Sequence, residues 1–446
     1  MNRYLFTFAL LLIALLLPVP GKSAAQRFSK DSLTLEQVWN IVDAGNSQLK
    51  LSSLALSESI INVDISRDNL LPSLAISGSA LHNTKFRIYP EGLFSSPDFF
   101  PVSKYGYGFG YSFNFNIYDG RKNSRNISIS EEEKLKTQHE YGMQRNNVHY
   151  LAAVVFYDLY KFLYFRDFLS LEIATQKKQL QTIESFYKNG TVLESDVLRS
   201  RVKLSQLELS LSGLDKQIQV ASQRLNILMG HGSEDPVVIS YGDSIRPLEL
   251  PQQTSYMEYV ELSLSRSPAY KIEVSRLKLA NLSLRQIKAN ILPNVSLFSY
   301  YNYTYPQVSY YPYSNQLWSF GQMGVKMTCS LDNLYKNRHL LARGKNGIAR
   351  QTEILKMKQD ELSADIKEAY LQCQQAAEAF RTAEENIKQN TESVRVIRNS
   401  YVSQESLLTD LLSAESSLLE SKFALISAKV NIRLSYIRLL AQTGIL

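Results

Sequence analysis

Residues 105–117 read YGYGFGYSFNFNI. Tyr105, Tyr107, Phe109, Tyr111, Phe113, Phe115 and Ile117 occupy the odd positions, and only Gly, Ser and Asn stand between them. A period of two is the strand period, since successive side chains leave a sheet on opposite faces. Two strands fit this pattern. One is a half-buried strand of a soluble sandwich; the other is a membrane barrel strand with aromatics toward lipid and small polar groups toward a wet lumen.

The rest of the chain bears on that choice. Arg3 is followed by the apolar run LFTFALLLIALLLPVP and then by the small residues Ser23, Ala24 and Ala25. This reads as a secretory signal over 1–25, cut after Ala25. Beyond it no stretch approaches the roughly 20 apolar residues of a spanning helix. A membrane location therefore has to be built from strands. Loss of the leader takes away Arg3 and Lys22 and no acidic residue, so a net charge of +7 becomes +5. That surplus is spread along the chain, without the basic blocks interleaved with aromatics that grip nucleic acid.

The chain is internally duplicated. The segment from Asn46, NSQLKLSSLALSESIINVDISRDNLLPSLAIS, aligns with SPAYKIEVSRLKLANLSLRQIKANILPNVSLFS from Ser267, so that Lys50 meets Lys271 and Pro72 meets Pro293, 221 residues apart. Further on the offset is 214, pairing Lys122 with Lys336, Tyr187 with Tyr401, Asp196 with Asp410 and Gly230 with Gly444. One deletion of seven residues between Pro293 and Lys336 accounts for the change. The strand phase survives the duplication: Phe109, Tyr111 and Phe113 fall on Met323, Val325 and Met327, with Gly324 and Lys326 between them. Each copy thus carries a hairpin whose long loop is rich in Pro, Ser and aromatic residues. The expected units are 26–230 for the first repeat (helix, hairpin, long helix, half-length helix), a linker over 231–255, and 256–446 for the second repeat.

Helical segments show a second period. From Leu193 the apolar positions step by four and three, broken only at Ser200, through Val197, Leu204, Leu207, Leu211, Leu214, Ile218, Ala221, Leu225 and Leu228, which is a coiled-coil seam. Lys122 to about Asn189 contains no proline and extends about 100 Å as a helix. The segments at about 35–70 and 193–229 are near half that length, so two of them stack end to end beside one long helix, twice per chain. Four strands with open edges need other copies for closure, because lipid cannot satisfy edge N–H and C=O groups. A dimer supplies eight strands and a trimer twelve.

In their order and double occurrence, LTLEQVWNIVDAGNSQLK from Leu33, LLPSL at Leu70 and ILPNV at Ile291, FNIYDG closing at Gly120, the turn YKNGTVLESDVL from Tyr187, and the repeat ends LNILMG and IRLLAQTG are similar to the TolC family of outer-membrane efflux ducts. The resemblance spans essentially the whole mature chain. It implies a mainly α fold with a membrane β-barrel: a homotrimer whose coiled-coil helices form an α-barrel through the periplasm, with four strands per chain entering a twelve-stranded barrel in the outer membrane of a Gram-negative bacterium. The implied function is the exit duct of a tripartite efflux or type I-like secretion system, a passive channel opened by a periplasmic membrane-fusion adaptor and fed by an inner-membrane transporter of the RND or ABC type. The alternative is a structural coiled-coil protein of the cell envelope without a transport role, its strands forming a soluble cap.

Site expectations follow. On the duct reading Tyr105, Tyr107, Phe109, Tyr111, Phe113, Phe115, Met323, Val325 and Met327 face lipid. The resemblance makes the turns at Gly190, Thr191 and Val192 and at Gln404, Glu405 and Ser406 the tips that contact the adaptor. At the first, Gly190 takes a positive φ and Thr191 with Glu194 forms a capping box. At the second, Gln404 replaces the glycine, so the helix reversal is expected to differ. Glu392, Arg395 and Asp410 are candidates for the periplasmic gate. Asp196 and Asp410 also fit dipole and capping positions at helix starts. No catalytic constellation, cofactor motif or metal-ligand spacing is present: His82, His139, His149, His231 and His339 are scattered, and GYGFG lies within a strand pattern.

Overall fold

The computed structural model describes residues 32–232, 235–240, 255–309 and 311–446. The leader expected over 1–25 and the greater part of the expected linker lie outside these residues. The first half of the chain runs α1 (Leu35–Gly45), α2 (Ser47–Asp68), β1 (Ser73–His82), β2 (Phe86–Ile88), β3 (Asp98–Phe100), β4 (Tyr105–Tyr118), α3 (Lys122–Lys188) and α4 (Glu194–Met229). The second half runs α5 (Tyr256–Arg266), α6 (Pro268–Lys288), a short turn at Ala289–Ile291, β5 (Asn294–Tyr305), β6 (Trp318–Thr328), α7 (Asn333–Val402) and α8 (Leu408–Thr443).

Local chemistry sets the helix ends. Thr34 starts α1 through a reciprocal capping box with Gln37, its N–H donating to Oε1 at 2.8 Å while its Oγ1 accepts from the Gln37 N–H at 3.3 Å. The single helix expected over about 35–70 is in fact two. Asn46 takes an extended backbone, and its Oδ1 accepts from the N–H groups of Gln48 and Leu49, which starts α2. Its Nδ2 donates to the Leu228 carbonyl at 2.9 Å, tying this break to the end of α4. At the matching break in the second half, Ser267 is followed by Pro268 at the first helical position, where a missing N–H costs nothing.

These breaks are where half-length helices meet. A Cβ on Gly45 would run into the Met229 carbonyl, and a Cβ on Gly444 would lie 2.9 Å from the Arg266 carbonyl. Glycine is required because backbone approaches backbone. Around the first joint lies the largest buried cluster, with Val38, Val42, Leu49, Val148, Ala152, Leu225 and Met229 among its members. The long helices α3 and α7, of 67 and 70 residues, run past the joints and extend about 100 Å each. The expected seam of α4 is buried or half-buried from Val197 to Leu228, but Leu193 is 71 % exposed.

Beyond the helices, β1, β4, β5 and β6 form one antiparallel sheet in that order, with β1 and β6 as its edges. Inside the first long loop, β2 and β3 form a separate small hairpin. Tyr313 of the second loop packs its ring against Phe86 and Phe100 at 4.8 and 5.5 Å. Asn315 accepts from the Ser103 N–H at 2.8 Å and donates to the Pro101 carbonyl at 2.6 Å. The two loops are thereby locked into one platform.

Apolar side chains remain exposed in rows on the helical shaft. On α2 they are Leu51, Leu54, Ile61 and Ile65; on α4 they include Leu198, Val202 and Leu209. Rows at helical spacing on the surface of one chain mark faces that other chains cover. Among the described residues no helix is long and apolar enough to cross a membrane.

Candidate functional site

Both helix turns have the same backbone. At the first, Gly190 has φ 73°, its N–H donates to the Tyr187 carbonyl at 2.9 Å, and the Thr191 N–H donates to the Phe186 carbonyl at 2.9 Å. This is a Schellman ending, in which two otherwise orphaned carbonyls are satisfied. At the second, Gln404 has φ 62° and donates to Tyr401 at 3.0 Å, while Glu405 donates to Ser400 at 2.8 Å. The expected difference in helix reversal is absent. Glutamine is held in the left-handed region by the same pair of hydrogen bonds that glycine accepts without strain.

The expected capping box is also absent. Thr191 Oγ1 donates back to the Phe186 carbonyl at 2.8 Å, and the residue preceding α4 is Leu193, which has no side-chain acceptor. Leu193 and its counterpart Leu407 occupy identical extended positions, 71 % and 70 % exposed. Val192 turns the other way, half-buried against a small core of Ile183, Val197 and Leu408 that joins the two hairpins. Ser406 is half-buried as well, with Gly190, Thr191, Gln404 and Glu405 left at the surface.

Of the gate candidates, the fold brings two together. Arg395 and Glu392 pair at 2.6 Å, one helical turn apart on α7 and both exposed. Hydrogen bonding to Arg395 holds the Glu392 carboxyl below the usual range. Asp410 instead accepts from the Leu407 N–H at 3.3 Å, the bond of a helix-start cap, which is the bland role that its position in the sequence suggests.

A more deeply buried polar set was not anticipated. Glu415 on α8 is 4 % exposed and accepts from Arg398 of α7 and from Gln176 of α3, each at 2.8 Å. Burial, with Glu415 nearby, raises the carboxyl of Glu172 above its ordinary value. Next to Glu415, Lys203 of α4 donates to Ser416 at 2.5 Å. The four helices are thus pinned together by polar contacts one stretch above the turns. The signal was present in the seam, since Glu415 follows Ala414 on the buried side, but the three-four pattern was read only for apolar residues.

At the other end of the shaft, the register places the aromatic residues of β4 on one face with the apolar residues of its neighbours. Ile76 lies opposite Tyr111, Leu74 opposite Phe113, Leu297 opposite Phe115, and Val325 opposite Leu297. Met323 and Met327 share that face through their pairing with Ser299 and Val295. Rings stack across the central pair, Phe109 on Tyr303 at 4.5 Å and Tyr107 on Tyr305 at 5.2 Å. The opposite face is small and polar on β1 and β4, with Ser77, Ser79, Gly108 and Gly110 among its residues. It is not uniformly so, because Phe298, Tyr300, Phe320 and Trp318 point the same way from β5 and β6.

The sequence profile of the outer membrane efflux protein family matches residues 41–231 and 260–444. The chain belongs to this family. Among solved structures it is similar to the outer-membrane channel OprN, at 16 % identity over 92 % of this chain and 89 % of that one, with a TM-score of 0.74. It is similar also to VceC of Vibrio cholerae, at 16 % identity over 92 % and 96 % of the two chains and a TM-score of 0.74. The CmeC outer membrane channel of Campylobacter jejuni matches at 15 % identity over 94 % and 90 %, with a TM-score of 0.76. No curated protein is significantly similar to the chain.

This member of the outer membrane efflux family is an exit duct of the outer membrane whose helical shaft extends into the periplasm. Channels of the family are homotrimers that work with adaptors and inner-membrane transporters. The open edges of β1 and β6 then have a reason. Each sheet supplies a third of a twelve-stranded barrel, and each edge strand pairs with the neighbouring copy.

Proposed function

We propose that this duct is a passive conduit whose turns at Gly190–Val192 and Gln404–Ser406 receive a periplasmic membrane-fusion adaptor, and that an inner-membrane transporter of the RND or ABC type supplies the energy. The observation that carries this reading is the identity of the two turns. Both present an exposed leucine, Leu193 or Leu407, beside an exposed Schellman loop, and both stand on one shared core. A single adaptor fold can therefore meet either turn, and a trimer presents six such knobs. On this reading Glu392 and Arg395, with Asp410 at the start of α8, contribute to the constriction that the adaptor opens. In the barrel, the face of Phe109, Tyr111 and Val325 contacts lipid and the face of Gly108, Ser112 and Lys326 lines the lumen, which suits the aromatic and apolar character of the first and the small polar groups of the second.

Photocrosslinking in cells from Thr191 and, separately, Glu405 tests the docking role, with mass spectrometry of the captured protein. The expected result is capture of the same adaptor, one bearing a helical hairpin, from both positions. Self-crosslinks alone, from an abundant trimer, overturn the docking role.

A further inference from the structure

The two repeats differ on the polar face of the sheet. At positions where the first repeat has Ser77, Ser79 and Gly106, the second has Phe298, Tyr300 and Phe320. Beside them Trp318 stands at the loop end of β6, where the first repeat has Lys104. Packing within the sheet does not call for this bulk, since the first repeat does without it.

The large side chains line an open-sided cavity of about 570 Å³. Its lining includes the aromatic residues Tyr300, Trp318 and Phe320 and the polar residues Asn302, Thr304 and Gln322. Gln307 and Ser309, from the loop after β5, also line it. Gln307 and Ser314 are joined by two backbone hydrogen bonds, and the Gln307 side chain accepts from the Ser309 N–H at 3.0 Å. The site is held in shape, because Tyr300 donates its hydroxyl to Gln322 Oε1 at 2.6 Å, fixing the ring and leaving the Gln322 amide N–H groups to donate elsewhere. Phe298 stacks behind Tyr300 at 6.4 Å. When the barrel closes, β6 meets the β1 edge of the next copy, whose side chains on this face are Ser73, Ala75, Ser77, Ser79 and Leu81. Apart from Leu81 these are short side chains.

We infer that this cavity is a binding station for uncharged planar aromatic molecules at the outer mouth of the duct, three per trimer. The rings give a stacking surface, the amides give directional hydrogen bonds, and no charged residue is among the described residues of the lining, which favours an uncharged occupant. The station slows such a molecule just before release and does not alter the passive character of the duct. This inference rests on the reading that the polar face lines the lumen.

The two tryptophans, Trp39 and Trp318, make the test direct. The full-length Trp39→Phe trimer, in nanodiscs, leaves Trp318 as the reporter; Trp318→Phe gives the blank. Coumarin is the probe and δ-valerolactone its non-aromatic control. The expected result is iodide quenching of Trp318, no quenching by bromine-labelled acyl chains, and saturable quenching by coumarin but not by the control. Coumarin affinity falls about fivefold in Tyr300→Ala and in Phe320→Ala, and is unchanged in Tyr111→Ala on the opposite face. Quenching of Trp318 by the brominated lipid overturns the lumen assignment and the station with it. Iodide access without saturable coumarin quenching, or quenching indifferent to both cavity substitutions, overturns the station alone.

Discussion

Gly190 and Gln404, 214 residues apart, hold the same left-handed backbone, with φ of 73° and 62°. The duplication kept the turn and changed the residue. No atom lies within 4 Å of a Cβ built on Gly190, so a side chain there meets only torsional strain. Gly190→Ala is expected to cost about 1 kcal/mol at the first turn, and Gln404→Gly to gain a comparable amount at the second, since left-handed strain outweighs the greater freedom of glycine in the unfolded chain at both. Hydrogen exchange of the amides at 186–192 and 400–406 measures both.

Substitution at the helix joint has a larger effect than at the turn. Gly45→Ala drives a methyl group into the Met229 carbonyl, and neither backbone segment can swing aside. A loss of about 1–3 kcal/mol is expected, read as a lower unfolding temperature of the detergent-extracted trimer.

The buried carboxylate between the hairpins is the next test. Glu415→Ala takes from Gln176, which is fully buried, the nearer acceptor of its amide and leaves only Gln179 Oε1 at 3.5 Å, at a cost of about 1–3 kcal/mol. Glu415→Gln keeps an acceptor oxygen for Gln176 and is expected to cost less. Thermal unfolding of the two variants side by side checks the order.

Stability is expected to fall on the acid side through the Asp43, Arg145 and His149 cluster. His149 Nε2 lies 2.7 Å from Asp43, its ring stacks on Trp39, and burial lowers its pKa from the ordinary 6.5 against the pull of Asp43. The unfolded chain therefore binds this proton first, so stability is full above about pH 6.5 and declines as the pH falls through that value. Partial burial pushes the Asp43 carboxyl up, but the hydrogen bonds from Arg145 and His149 outweigh it and leave the pKa below the ordinary 3.8, which adds a second loss at lower pH. In His149→Phe, which retains the stacking, the decline between pH 7 and 5 is expected to flatten. Melting curves across that range decide it.

Much of this architecture is legible in the residues because two periods are written plainly. Alternation over Tyr105–Ile117 and the three-four seam over Val197–Leu228 each constrain a whole face of an element, so strands and helices follow from pattern alone. Features set by a single contact between distant segments were not legible. The break at Asn46 depends on the Leu228 carbonyl, 182 residues away. Gln404 reads as a non-glycine, and only the hydrogen bonds around it show that it holds the glycine conformation. Thr191 and Glu194 have capping-box spacing, yet Thr191 Oγ1 is already committed to the Phe186 carbonyl. The aromatic residues on the polar face of β5 and β6 were hidden by reading that face from β4, where it is glycine and asparagine.

On the proposed function, one face of the sheet meets lipid and the other water. Spin labels placed one at a time at Phe109, Ser112, Phe113, Asn114, Gln322 and Val325, in a trimer with Cys329 and Cys373 replaced, measure it through their accessibility to oxygen and to a water-soluble nickel chelate. A period of two is expected, with Phe109, Phe113 and Val325 rich in oxygen contact and Ser112, Asn114 and Gln322 open to the chelate. Equal access of the chelate to both faces would contradict it and identify the sheet as a cap in water.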